Sequence, residues 1–282
     1  MLNGKRILVM GLLDTRSFAW AIGSKAAALG AEVIYTVQSD RFRNVFLRRA
    51  FEKEGLSIDA YPILPCDVTD DAQIAALFQQ TGALDGLVHC IAYARPETCL
   101  APTLAEAPRA DVLRAFEISA ASLAFVAREA KSVLRRRAGI VALSFDSQHV
   151  YPNYNWMGVC KAALEASARY LARDLGPAGI RVNCVSAGPQ QTMAASHIPG
   201  FARLARSWPR RAPAGWDRDG DRHAVADATV FLLSDLARRI TGEVLYVDGG
   251  HHAMGLDLVR EPRPRKRASA SPESPAEPPQ QS

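Results

Sequence analysis

The sequence predicts an α/β fold: one doubly wound parallel sheet of about seven strands, in a single domain, with helices on both faces. Three observations carry that reading. Short apolar or β-branched runs alternate with longer helical patterns along most of the chain. Several of these runs, such as RILVM and GIVALS, are almost continuously apolar, as expected of strands covered on both faces. The 282 residues are 48% hydrophobic, enough for a sizeable core, and neither an internal repeat nor a membrane-length apolar stretch interrupts them.

The elements follow in order. RILVM (6–10) is the first strand, SFAWAIGSKAAAL (17–29) the first helical pattern and EVIYTV (32–37) the second strand. A basic amphipathic stretch from Asp40 to Lys53 leads to AYPIL (60–64), a helix over Asp71 to Phe78 and the strand LDGLVHCIA (84–92). The segment Asp111 to Arg137 reads as helical, then come GIVALS (139–144), a helix beginning near Asn153, IRVNCVS (180–186), a helix from His223 to Leu233, and EVLYVD (243–248). Past residue 257 the composition changes to Pro, Ser and charge. A segment of that kind buries too little apolar surface to offset its ordering entropy, so 1–257 is expected to be the folded domain and 258–282 a disordered tail.

Composition narrows the function classes. The net charge is +5, with a cluster at Arg263, Arg265, Lys266 and Arg267 in the tail, which is read as solvated; nucleic acid is not the expected partner. The five cysteines lie mostly in apolar runs without C-x-x-C spacing, as buried thiols in a reducing compartment do, and no metal site is expected. The start MLNGKRILVMGLL imitates a leader, yet Gly11 and Asp14 interrupt its apolar run and no cleavage site follows. A cytoplasmic protein without membrane contact is the expectation.

Two local patterns suggest chemistry. In PNYNWMGVCKAALEA, Tyr154 and Lys161 are seven residues apart, which on a helix returns to nearly the same face with a drift of about 20°. Both side chains could reach one cleft, or Tyr154 could be a core aromatic and Lys161 a solvated cation. In GLLDTRSFAWAIG, Gly11 ends a strand and Ser17 precedes a helix, whose unpaired N–H groups and dipole suit a pyrophosphate. The pattern is not G-x-G-x-x-G, so an ordinary turn with Ser17 as cap is equally open here.

Taken together, and in this order, Gly11 with Ser17-Phe18-Ala19, CDV (66–68), HCIAYA (89–94), PNYNWMGVCKAALEA, RVNCVSAGP (181–189) and TGEVLYVDGG (241–250) resemble the enoyl-acyl-carrier-protein reductases, the divergent branch of the short-chain dehydrogenase/reductase superfamily. The resemblance spans about residues 2 to 256. It implies a Rossmann-like fold, an NADH-dependent reduction of enoyl thioesters in fatty acid biosynthesis, and a homotetramer. It also implies roles by position. Tyr154 stabilises the enolate, Lys161 binds the nicotinamide ribose and Phe145 lines the reacting centre. Gly11, Ser17, Phe18, Gln38, Asp67, Val68, Cys90, Ile91, Ala92, Ala187, Gly188, Gln190 and Thr192 hold the cofactor. Ala94, Phe145, Tyr154, Ala194, Ile198, Phe201 and Leu204 face the acyl substrate.

The chain departs from the family pattern at three places. Phe145 stands where many members have a second tyrosine, and a phenyl ring cannot donate a proton. Gln190-Gln191 replaces a common Ile-Arg pair. The lid over 192–212 carries Pro199-Gly200, which predicts a broken or flexible cover, and it is short, which predicts ordinary or short acyl chains. Arg203, Arg206, Arg210 and Arg211 on it would either steer an acidic acyl carrier protein or form a solvated face. At the end of the second strand, Gln38 and Asp40 resemble the NADH-using branch, while Arg41 and Arg43 leave room for NADPH. The alternative function is an NAD(P)H-dependent short-chain reductase acting on a ketone, imine or enoyl intermediate in a specialised, polyketide-like pathway.

Overall fold

The computed structural model describes residues 1–100 and 103–258. Seven strands run parallel in the order β3-β2-β1-β4-β5-β6-β7: β1 Arg6–Met10, β2 Glu32–Val37, β3 Ile63–Pro65, β4 Leu84–His89, β5 Leu134–Ser144, β6 Arg181–Ala187 and β7 Val244–Val247. Among the described residues ten α-helices connect or flank them: α1 Phe18–Ala28, α2 Arg48–Lys53, α3 Asp71–Thr81, α4 Pro96–Cys99, α5 Arg109–Phe116, α6 Ser122–Ala130, α7 Asn155–Leu175, α8 Met193–Ser196, α9 Phe201–Ser207 and α10 Arg222–Leu233. The chain order reverses between β1 and β4, and in sheets of this kind the crevice beyond that reversal is where ligands bind.

The pleat explains the two cores. Ile7 and Val9 of β1 point into one cluster with Ile22 of α1 and Val225 and Val230 of α10. Leu8 and Met10 point the other way, into a cluster with Ile74 of α3, Leu123 of α6 and Leu164 of α7. Each such buried aliphatic side chain contributes about 1.5–3 kcal/mol, so a central strand apolar at every position is stabilised from both sides.

Boundaries differ from the sequence reading where tertiary pairing decides them. β5 starts at Leu134, not at the GIVALS run, because Leu134 pairs with Leu84 across a register shift before Gly86 pairs with Gly139. The segment Asp111 to Arg137 is accordingly not one helix: a π-helical turn Glu117–Ala121 separates α5 from α6, and α6 ends at Ala130. A second π-helical turn, Phe42–Leu47, precedes α2. Tyr154 is the cap of α7 rather than a residue inside it, and it stands between Asn153 and Asn155, both at positive φ (64° and 33°). Asparagine is among the few residues that tolerate that region. Four of the five free cysteines are buried and Cys90 is partly so. No described helix is long and apolar enough to cross a membrane, and the tail from 259 onward, with its basic cluster, lies outside the described residues.

Candidate active site

The carboxyl ends of β1 and β4 frame one wall of the crevice. Cys90 donates its N–H to the Met10 carbonyl (3.2 Å), which brings the two strand ends together. Gly11 then turns with φ 89°, and a Cβ there would lie 2.5 Å from the Cys90 carbonyl oxygen. Only glycine fits, by conformation and by space. Ser17, buried, caps α1: its Oγ accepts from Trp20 N (3.2 Å) and its hydroxyl donates to the Asp14 carbonyl (2.7 Å). The cap leaves the N–H groups of Phe18 and Ala19 without intrahelical partners at the positive end of the helix, as a pyrophosphate requires.

At the ends of β2 and β3, the Asp67 carboxylate accepts from Thr69 N and Oγ1 (3.0 and 2.7 Å) and from Gln38 Nε2 (3.3 Å). Burial works against its charge, but these hydrogen bonds hold its pKa below the usual carboxylate value. Val68 is buried behind it. Cys90 and Ile91 are half-buried along the crevice and Ala92 is exposed. Arg43 is drawn to Asp59 (3.4 Å), which also pairs with Arg48 (3.1 Å), so the cation that left room for NADPH is engaged elsewhere; Arg41 forms no ion pair among the described residues.

The helix α7 forms the other wall. Lys161 is buried and donates from Nζ to the Leu143 carbonyl (2.8 Å), leaving two ammonium protons for a ligand. Burial lowers its pKa, offset in part by Cys184, Cys160, Cys90 and Glu165. The same burial, with Lys161 nearby, drives His89 down to about 3, so that ring is neutral. Tyr154 is also buried, and desolvation raises its pKa well above the ordinary phenol value, which keeps it a proton-bearing donor at neutral pH. Its ring lies 4.9 Å from Phe145, centroid to centroid, and among the described residues its hydroxyl has no hydrogen-bond partner.

Ala94, Phe145, Tyr154, Ile198 and Leu204 share one apolar cluster. Phe201 sits in an adjoining cluster with Ala195 and Ala205, against which Ile198 also packs. Ala194 does not join them: it is exposed on α8, and the buried residue is Ala195, because the short helix turns the next position inward. The break expected at Pro199-Gly200 is present, with Gly200 at φ 77° between α8 and α9 and the Pro199 carbonyl accepting from Asn153 Nδ2 (3.1 Å).

Two further positions are corrected by their contacts. The Gln190 side chain is not free for a cofactor: Nε2 donates to the Asp217 carbonyl (2.9 Å) and Oε1 accepts from Arg222 N (3.1 Å), so it ties the start of α10 to the end of β6. Gly188, buried next to Ala187, is covered by Trp216, whose ring would stand 2.6 Å from an added Cβ and whose Nε1 donates to the Pro189 carbonyl (2.9 Å). Thr192 caps α8 by accepting from Ala195 N (3.1 Å) and still has a hydroxyl proton to donate. Of the four lid arginines, Arg210 pairs with Asp257 (2.6 Å), Arg211 donates to the Met254 carbonyl, and Arg203 and Arg206 are exposed without an ion pair among the described residues.

Sequence reasoning missed several groups near the site. Tyr151 donates to buried Asp146 (2.7 Å), which also bonds His149 Nδ1 (2.8 Å), and Tyr151 packs on Phe145 at 4.9 Å. Trp208 stacks on His251 at 3.6 Å and backs Phe145 at 5.6 Å. Glu165 is buried on α7 and accepts from the hydroxyls of Ser144 and Ser147, both at 2.6 Å. Its one signal in the sequence is its place between Leu164 and Ala168, on the apolar side of α7.

Residues 11–252 match the family described as enoyl-(acyl carrier protein) reductase. The chain is 42% identical over 260 residues to the NADH enoyl-[acyl-carrier-protein] reductase FabI of Bacillus cereus, covering 90% of this chain and 99% of that one. It is 40% identical over 258 residues to the Bacillus subtilis FabI, with 89% and 97% covered, and 39% identical over 264 residues to that of Synechocystis, with 90% and 99% covered.

Proposed function

We infer that this chain, which belongs to the enoyl-(acyl carrier protein) reductase family, reduces the trans-2 double bond of enoyl-acyl-carrier-protein thioesters with NADH in fatty acid biosynthesis. It is an oxidoreductase, and acyl carrier protein presents its substrate. The observation that carries the division of labour is that Lys161 of α7 and Tyr154 at its cap both reach the carboxyl end of β5, Lys161 through the Leu143 carbonyl and Tyr154 through the Phe145 ring.

The residues present suit a dinucleotide. Gly11 admits no side chain at the strand end, the first N–H groups of α1 are unpaired, and Asp67 retains carboxylate acceptor capacity for an exocyclic amine. When bound, NADH supplies the hydride that reaches the β-carbon. Lys161 holds the ribose hydroxyls with its two remaining protons. Tyr154 donates to the thioester carbonyl oxygen, where negative charge develops, and costs little reorganisation because its ring is already packed against Phe145. Thr192 donates to the pyrophosphate. Ala94, Ile198, Phe201 and Leu204 exclude water from the acyl chain. The proton that completes the product at the α-carbon does not come from Phe145, which has none to give.

The assembly is a homotetramer in this reading, supported by Leu113 and Phe116 of α5 and Val159 and Tyr170 of α7, large apolar side chains left exposed on two helices. The protein acts in the cytoplasm. Exposed Arg203 and Arg206 meet the acidic carrier protein at the lid.

The test is NADH oxidation with trans-2-enoyl thioesters of graded length beside a panel of ketones and imines. Turnover of the enoyl thioesters, falling off at long chains, is expected. Turnover of ketones or imines with inert enoyl thioesters would replace this reading with the specialised reductase.

A further inference from the structure

The helix α7 places two opposite charges in the protein interior one turn apart, at Lys161 (6% exposed) and Glu165 (2%). Neither forms an ion pair within 4.0 Å among the described residues, yet each grips the same piece of backbone turn. Lys161 donates to the carbonyl of Leu143, and Glu165 accepts from the hydroxyl of Ser144, the next residue, and from Ser147 beyond it. Between those two serines lies Phe145, whose ring packs on Tyr154. A buried charge without a counter-charge is costly, and side chains four apart on a helix are neighbours.

We propose that Glu165 is a positioning residue: its carboxylate is the counter-charge that keeps Lys161 a cation in its seat, and through Ser144 and Ser147 it fixes the turn that sets Phe145 against Tyr154. The proposal rests on the reading of Lys161 as the ribose-binding group. The other titratable groups around Lys161 are His89 and Cys90 at the end of β4, Cys160 and Tyr154 on α7 and Cys184 on β6. His89 is neutral and the thiols Cys90 and Cys184 are pushed up to about 12, while Glu165 is the one carboxyl group on this part of α7, held at 2.6 Å by the hydroxyls of Ser144 and Ser147. Tyr246 on β7 has its pKa raised, chiefly by burial and to a lesser degree by the charges of Asp146, Glu165 and Asp248.

The direction of the effect follows from linkage. The folded pKa of Lys161 lies below its unfolded value, so the unfolded chain binds the extra proton between the two and stability rises with pH across that window. Without the Glu165 charge the folded pKa falls further and the window widens downward.

The experiment uses Glu165→Gln, which keeps shape and removes charge, Lys161→Met, and the double variant. Thermal midpoints of the cofactor-free proteins are followed against pH, and NADH affinity is followed by fluorescence. The stability deficit of Glu165→Gln is expected to be largest near neutrality and to shrink as pH climbs toward the free lysine value of about 10.4. Its NADH affinity should be lost at a lower pH than in wild type. The double variant should be more stable than the sum of the single changes allows. Parallel midpoint curves, an unshifted NADH profile or additive single changes would overturn the proposal. If the single variants do not fold, a double variant that folds supports it and one that fails overturns it. A wild-type protein inert toward enoyl thioesters would sink the proposed reaction while leaving the cofactor-free stability test intact.

Discussion

The cofactor side of the crevice and its acyl side meet along α7, but they are made of different groups. On the cofactor side the shaping is done by backbone: the Gly11 turn pressed on the Cys90 carbonyl, the capped start of α1, and strand ends held by the sheet. On the acyl side it is done by side chains: Tyr151 stacked on Trp208, with Phe145 edge-on to Tyr151 and tilted against Tyr154, under a lid whose Pro199 carbonyl hangs from Asn153. A surface made by backbone tolerates most side-chain changes except where glycine is obligatory. A surface made by side chains can be retuned residue by residue.

Three changes put that contrast under strain, in order of expected size. Tyr154→Phe removes a single hydroxyl from the acyl side, and a lost donor of this kind costs about 100-fold or more in kcat. NADH affinity, measured by fluorescence titration, should stay put, and a comparable loss of cofactor binding would mean that the two sides are not separable. Gly11→Ala attacks the cofactor side. The positive φ costs of order 1–3 kcal/mol and the clash with the Cys90 carbonyl adds to it, so the thermal midpoint should drop by several degrees. NADH binding should weaken with it, and a variant with wild-type midpoint and affinity would refute the backbone account. Arg203→Glu with Arg206→Glu touches only the rim. The KM for carrier-protein substrate should rise about tenfold at low salt and converge with wild type at high salt, while coenzyme A thioesters are unaffected. Equal effects on both substrate types would make the arginines part of the acyl site instead.

The sequence was most legible where one face or one period decides the outcome. All seven strands were visible, because strands buried on both sides leave runs rich in apolar and β-branched residues, as in RILVM and EVIYTV. The spacing of Tyr154 and Lys161 was visible too, although the tyrosine proves to cap the helix and not to ride on it. Long-range contacts were not visible. Trp216 lies 28 residues from the Gly188 it covers, and nothing local marks the pair. Gln190 read as a cofactor residue from its position after β6, but the start of α10 had already claimed its amide. Glu165 was not singled out, since its two serine partners come from a turn that only the folded chain brings alongside.

The most direct test of the account is a crystal structure with NADH and an unreactive enoyl thioester analogue bound. Lys161 Nζ should lie within hydrogen-bonding reach of both ribose hydroxyls, with the Tyr154 hydroxyl about 2.6–3.2 Å from the thioester oxygen. A complex in which the ribose is held by other residues, or the carbonyl turns away from Tyr154, would contradict it.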